Sequence, residues 1–118
     1  MKIKDKRKRI AFDIDGTITK QGWFPDIYET TPIQLGRLYE KAEPDLEMIK
    51  LVNKYFNKGY IVYLFTSRSD LHERVTKKWL DKYKVKYHYF IMNKVYYDIF
   101  VDDKAIRPEE LKLWAKNT

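Results

Sequence analysis

Residues 60–65 read Tyr-Ile-Val-Tyr-Leu-Phe, a run of apolar, β-branched and aromatic side chains with no polar alternation. A strand with one wet face alternates, whereas an unbroken run of this kind belongs to a strand covered on both faces. That is the habit of parallel sheets, whose crossovers lay helices over the strands. The flanking segments have the required helical character. Pro44 fits the first position of a helix, with Glu43, Asp45 and Glu47 where the helix dipole favours acid. Leu46, Ile49, Val52, Tyr55 and Phe56 then recur at helical spacing, and Gly59 suits the C-terminal cap. Beyond the run a second helix starts near Ser69 or Asp70, where Asp70 and Glu73 have capping-box spacing. Leu71, Val75, Trp79, Leu80 and Tyr83 supply its inward stripe.

The rest of the chain extends the pattern. Residues 9–14 form a short buried strand ending in carboxylates, 87–92 a third strand, 99–101 a fourth, and 108–116 a closing helix opened by Glu109 and Glu110. Residues 22–31 mix Gly, Pro, Asp and Thr with aromatics and read as a flap. Pro32 opens a short helix through about 41, with Ile33, Leu35, Leu38 and Tyr39 as its apolar side. The order β, α, β, α, β, β, α with two-sided strands predicts a three-layer, Rossmann-like α/β domain with a mostly parallel sheet. At 118 residues the chain has the length of one domain, and 44% hydrophobic residues are enough for a core.

Composition excludes several chemistries. There is no cysteine, so disulfides, thiol catalysis and thiolate zinc sites are ruled out, and His72 and His88 are too few for most imidazole metal centres. His72 is expected on a helix surface and His88 in strand packing. No apolar run approaches the ~18 residues of a membrane span. The basic N-terminus is followed by an apolar run broken at Asp13, so no secretory signal is read and the expected address is cytoplasmic, with no membrane partner. A net charge of +7 suits phosphorylated small molecules and nucleic acid alike.

In open α/β sheets ligands bind beyond the carboxyl ends of the strands, so the residues just after each strand are the ones to inspect. They are Asp13, Asp15, Gly16 and Thr17 after the first, and Thr66, Ser67 and Arg68 after the second. Lys94 follows the third, and Asp102 and Asp103 end the fourth. Two carboxylates on alternate positions can divide labour, one as nucleophile and one as acid and base. Asp102 and Asp103 with Asp13 would suit a hard divalent ion such as Mg²⁺, and without a cation four neighbouring carboxylates would not all stay ionised. Thr66 and Lys94 then read as ligands of phosphoryl oxygens, so the set points to phosphoryl transfer.

These stretches resemble a known superfamily. Phe12-Asp13-Ile14-Asp15-Gly16-Thr17 is similar to the first motif of haloacid-dehalogenase-like phosphatases. Leu64-Phe65-Thr66 resembles the second and Val101-Asp102-Asp103 the fourth, with Lys94 as the third and Lys86 as its alternative. The ordered set spans about residues 10–105. The resemblance implies that Asp13 attacks phosphorus and that Asp15 protonates the leaving group and then deprotonates the attacking water. It further implies that Mg²⁺ is held by Asp13, the Asp15 carbonyl and Asp102, with Asp103 assisting. Having Asp15 favours phosphatase over dehalogenase. Gly16, Thr17, Ser67 and Arg68 would line the substrate. Many relatives place a longer helical stretch between the third and fourth strands, whereas here only 93–98 is available. With strand order 3-2-1-4 that link crosses roughly 14 Å, against about 20 Å reachable by six extended residues. The compact spacing resembles small phosphatase-like proteins of capsular and surface polysaccharide synthesis.

Each residue has a plainer reading. Asp-Gly is a common turn, Asp102-Asp103 fits a helix-capping turn, and Thr66 fits a cap that Ser67 or Ser69 would also serve. Lys94 and Arg68 would face solvent, and Trp23, Phe24, Tyr28 and Tyr39 would anchor the stretch between the first two motifs rather than stack on substrate. Residues 18–43 make a flap and one helix, not a cap domain, so the site would be open to a bulky substrate or to a neighbouring subunit in a homo-oligomer. The expected function is Mg²⁺-dependent phosphomonoester hydrolysis on a phosphorylated sugar or nucleotide. The alternatives are 3′-phosphate removal from nucleic acid ends and a non-catalytic binding role for the same fold.

Overall fold

The protein is described here by a computed structural model covering residues 6–22 and 30–117. Three strands, β1 (Arg9–Asp13), β2 (Ile61–Phe65) and β3 (Tyr89–Ile91), form a parallel sheet in the order β1-β2-β3. Ile61, Val62 and Leu64 of the central strand are all buried, as its unbroken apolar run predicts. Register sets Phe12 beside Leu64 and Asp13 beside Phe65, with Phe65 in turn beside Ile91. All three strands therefore end level, and the residues that follow them share one edge.

Four α-helices accompany this sheet among the described residues: α1 (Pro32–Glu40), α2 (Leu46–Asn57), α3 (Glu73–Lys82) and α4 (Pro108–Lys116). Local chemistry starts them. Thr31 and Gln34 form a reciprocal capping box at α1, with Pro32 in the first turn. The Asp45 carboxylate caps α2 by accepting from the Met48 N–H at 3.1 Å. Helix α2 packs on β2 and α4, and α1 packs on α3. One core runs through Phe12, Ile14, Met48, Val52, Val62, Leu64, Leu80 and Leu111, among others. Each such side chain contributes about 1.5–3 kcal/mol when withdrawn from water. The Trp79 indole N–H donates to the Ala42 carbonyl at 2.8 Å, tying α3 to the chain just after α1. The architecture is α/β and consistent with a Rossmann-like fold.

The chain between β1 and α2 leaves and returns through a narrow neck. Thr19 and Pro44 form an isolated antiparallel bridge, Lys20 N–H donates to the Glu43 carbonyl at 2.9 Å, and Asp45 N–H donates to the Ile18 carbonyl at 2.8 Å. Helix α1 belongs to the segment hung on this neck. Most of the expected flap, including Trp23, Phe24 and Tyr28, lies outside the described residues.

Four expectations are corrected. Pro44 sits in the neck bridge, and the α2 cap is Asp45, because the Asp45 side chain reaches the Met48 N–H. The second helical segment opens with a 3₁₀ turn, Asp70–His72, capped by Ser69, before α3 proper. That turn rotates the stripe, so His72 faces inward while Leu71 stands 75% exposed. The third strand is shorter than 87–92: the His88 ring accepts from the Val62 N–H at 3.0 Å, taking the place of a ladder bond, and stacks on Phe56 at 4.5 Å.

The fourth correction is the largest: residues 99–101 are not a strand. Ile99 is 82% and Val101 91% exposed, and β1 keeps an open edge among the described residues. Two local features compete with pairing. Asn93 N–H donates to the Arg68 carbonyl and Lys94 N–H to the Thr66 carbonyl, each at 3.0 Å, which holds the chain beside β2. The rings of Tyr97 and Phe100 then stack at 5.0 Å. Residues three apart on an extended strand point to opposite faces, so this stack folds the backbone away from strand geometry.

Candidate active site

Asp13 ends β1, and the chain turns at once. Gly16 takes φ +80°, and its N–H donates to the Gln21 carbonyl and the Thr19 hydroxyl. A Cβ at Gly16 would meet the Gly22 Cα at 2.9 Å, so space and dihedral both require glycine. Thr17 continues the turn through a backbone bond to the Ile14 carbonyl. Gly16 and Thr17 thus shape the loop that presents Asp13 and Asp15, and the Gly16 N–H is spent within it.

Lys94, following β3, places its ammonium 3.8 Å from an Asp13 carboxylate oxygen and donates to the Tyr97 hydroxyl at 3.3 Å. Burial pushes the Asp13 carboxyl above its ordinary value; the Lys94 charge opposes this, Asp15 adds to it, and Arg68 counters it. The alternative lysine, Lys86, bonds Asn57 and lies over the Phe56 ring, away from this group.

Arg68 is 3% exposed and turned inward, which the plainer solvent-facing reading did not foresee. Its Nε donates to Asp15 Oδ2 at 3.0 Å and its Nη2 to Oδ1 at 2.6 Å, a bidentate pair. Nη1 donates to the Thr76 hydroxyl at 3.1 Å, and the guanidinium carbon lies 3.8 Å from the centre of the Tyr39 ring. Thr66 is fully buried and its hydroxyl accepts from the Arg68 N–H at 3.1 Å, so it braces the turn that aims Arg68. Ser67 is exposed on that turn.

The structure therefore brings together Asp13, Asp15, Lys94 and Arg68, with Thr66 beneath them. It leaves Asp102 and Asp103 apart, exposed in the irregular stretch after β3, where Asp102 Oδ1 accepts from the Lys104 N–H at 2.7 Å. Among the described residues no three Asp, Glu, His or Cys side chains gather where they could hold a metal ion. Of the residues expected to hold Mg²⁺, Asp13 ends β1, the Asp15 side chain is held by Arg68, and Asp102 and Asp103 are exposed in the stretch after β3.

Sequence reasoning read Tyr39 as a buried anchor but missed its place against Arg68, and missed Thr76 and the inward His72. His72 Nε2 lies 2.9 Å from the Pro32 carbonyl, and its ring meets Tyr39 edge-on at 5.1 Å. Thr76 follows His72 by one helical turn, a spacing visible in the chain but masked by the more apolar Leu71 and Val75 beside them.

No family model matches the chain, and no curated protein matches it significantly. Solved structures do share its fold. A crystal structure of a Vibrio cholerae protein matches with a TM-score of 0.69 and 24% identity over 89% of this chain and 87% of that one. A chain of the Pnkp1/Rnl/Hen1 complex matches with a TM-score of 0.60 and 21% identity over 94% of this chain. A further structure of the Pnkp1/Rnl/Hen1 RNA repair complex gives 0.58 and 18% over 97%. This chain spans 35% and 32% of the chains it matches in those complexes. No helix among the described residues is long and apolar enough to cross a membrane.

Proposed function

We propose that the chain is a phosphomonoester hydrolase of the haloacid-dehalogenase-like kind, built as a three-layer α/β domain, with Asp13 as nucleophile. The observation that carries this reading is the Asp13–Lys94 pair at 3.8 Å beside an Asp15 gripped by Arg68, all at the carboxyl edge of a parallel sheet. An Asp13 oxygen attacks phosphorus as the bond to the leaving oxygen breaks. Asp15, carrying a proton on a lone pair that Arg68 leaves free, gives it to that oxygen. Water then attacks the aspartyl-phosphate, Asp15 takes the proton, and phosphate leaves with Asp13 restored. Each Asp15 oxygen keeps a second lone pair beyond its bond to Arg68, so the grip does not preclude proton transfer. Lys94 would neutralise a phosphoryl oxygen, and Ser67 would face the substrate.

Mg²⁺ enters this proposal only through Asp102 joining Asp13, with the Tyr97–Phe100 stack opening so that 99–101 extend along the edge of β1 that no described strand covers. No step above depends on it. The direct test is a panel of aryl phosphate, sugar phosphates, nucleotides and 3′-phosphorylated oligonucleotides with and without Mg²⁺. Hydrolysis that disappears in Asp13→Asn is expected. Failure on every ester between about pH 5 and 9 overturns the reading.

A second reading, action on nucleic acid ends, has its own support. Arg74, Lys78 and Lys82 follow one another at four-residue steps, about 6 Å of helix rise each, along a groove of about 460 Å³ between α1 and α3. Arg74 and Lys78 make no ion pair among the described residues. The likeness to a chain of an RNA repair complex points the same way. Substituting all three by Ala is expected to flatten the salt dependence of oligonucleotide affinity by about two units of log–log slope. An unchanged slope removes this groove from the account.

A further inference from the structure

We infer that Tyr39 is a positioning residue, which fixes Arg68, and through it Asp15, from the helix hung on the neck between β1 and α2. This rests on the acid–base role given to Asp15 above. Tyr39 is the buried residue of the last turn of α1, 6% exposed. Its ring lies beneath a guanidinium that is itself almost wholly withdrawn from water, with the ring centre 3.8 Å from Cζ. Donors on all three guanidinium nitrogens point in the plane, two at Asp15 and one at Thr76, so the faces are left for packing, and Tyr39 covers one of them. An aromatic face is the apolar surface that attracts a cation, most strongly when both are desolvated. Covering the guanidinium also keeps water from competing for the Asp15 oxygens, which strengthens the bidentate pair.

The ring is itself held. His72 presses on Tyr39 edge-on at 5.1 Å and is anchored by its Nε2 to the Pro32 carbonyl at 2.9 Å, at the opposite end of α1. Gly36, one turn before Tyr39, passes His72 closely enough that a Cβ there would sit 3.5 Å from the imidazole Cδ2. Helix α1 is thus seated on the 3₁₀ turn that opens α3 by the same ring that meets Tyr39. The neck bonds at Ile18–Asp45 and Lys20–Glu43 fix where the segment is rooted. Through α1, the segment between the first two motifs becomes part of the acid–base apparatus, apart from any contact it makes with substrate.

The test uses the full chain and two readouts. One is the exchange rate of the Arg68 Nε–H, which the bond to Asp15 protects, followed by NMR. The other is kcat and KM on an aryl phosphate. Tyr39→Phe keeps the face and should stay within about twofold of wild type in both. Tyr39→Leu should speed Nε–H exchange at least about tenfold and lower kcat by a similar factor, with KM within about twofold. Tyr39→Met, longer and more flexible than leucine at about the same volume and without an aromatic face, should follow Tyr39→Leu and serves if the latter does not fold. Unchanged exchange and kcat in a folded Tyr39→Leu or Tyr39→Met protein would overturn the inference. So would a loss that merely tracks the unfolded fraction. If wild type hydrolyses nothing but exchange still responds to the ring, the hydrolase reading falls while the positioning of Asp15 by Tyr39 stands.

Discussion

Asp13 and Arg68 are the two residues whose surroundings decide most. Burial raises the Asp13 carboxyl above 3.8, and Lys94 is the main charge opposing that rise. A nucleophile must be ionised, so the acid limb of kcat/KM against pH should lie above the position of an unperturbed aspartate. Lys94→Met should move that limb to higher pH, and a limb that stays in place would detach Lys94 from Asp13. The same shift has a sign for stability. The folded state holds the Asp13 proton more tightly than the unfolded chain, so this residue costs stability as pH rises from 3.8 through its raised value. Asp13→Asn should therefore abolish turnover without lowering Tm at neutral pH. Arg68 works in the opposite sense. Arg68→Met removes both donors to Asp15 in a site where the two side chains are 2% and 18% exposed, at a cost of about 3 kcal/mol in denaturant melts. The chemistry-bearing residues after β1 were legible because strand-end carboxylates need only local sequence to be noticed. The inward turn of Arg68 was not, since burying a guanidinium depends on an acid and a ring brought from distant parts of the chain.

At the level of elements, helices and the central strand were readable, whereas their exact caps and the pairing of 99–101 were not. The Asp45 side chain starts α2 and also meets the Lys112 ammonium of α4 at 2.6 Å. Burial alone would raise the Asp45 carboxyl, but Lys112 and the Met48 N–H outweigh it and hold it below 3.8. Its contribution is present above that pH and lost as pH falls through the depressed value. Asp45→Ala should cost about 1–2 kcal/mol near neutrality, and its melts should converge with wild type in acid. The run 60–65 marked β2 because both faces of that strand are covered. Residues 99–101 carry the same kind of composition yet stay open, because two backbone bonds before them and the Tyr97–Phe100 stack within them set their path. Amides of 96–101 should exchange far faster than those of 61–65. If Mg²⁺ draws the segment onto β1, protection there should rise on its addition and should not in Asp102→Ala.

On the scale of the whole molecule, the parallel sheet delivers one edge, and that edge gathers acid, cation and a braced turn from three separate stretches. Fold class was legible because hydrophobic periodicity reports burial face by face. The completeness of the site was not, because whether Asp102 reaches Asp13 depends on a tertiary choice the local sequence leaves open. The central claim is that Asp13 carries the phosphoryl group. Acid quenching during turnover of an aryl phosphate, followed by peptide mass spectrometry, should show a phosphoryl adduct on Asp13 that hydroxylamine removes, and Asp13→Asn should give neither adduct nor turnover. Turnover that persists in Asp13→Asn, or an adduct on another residue, would contradict it.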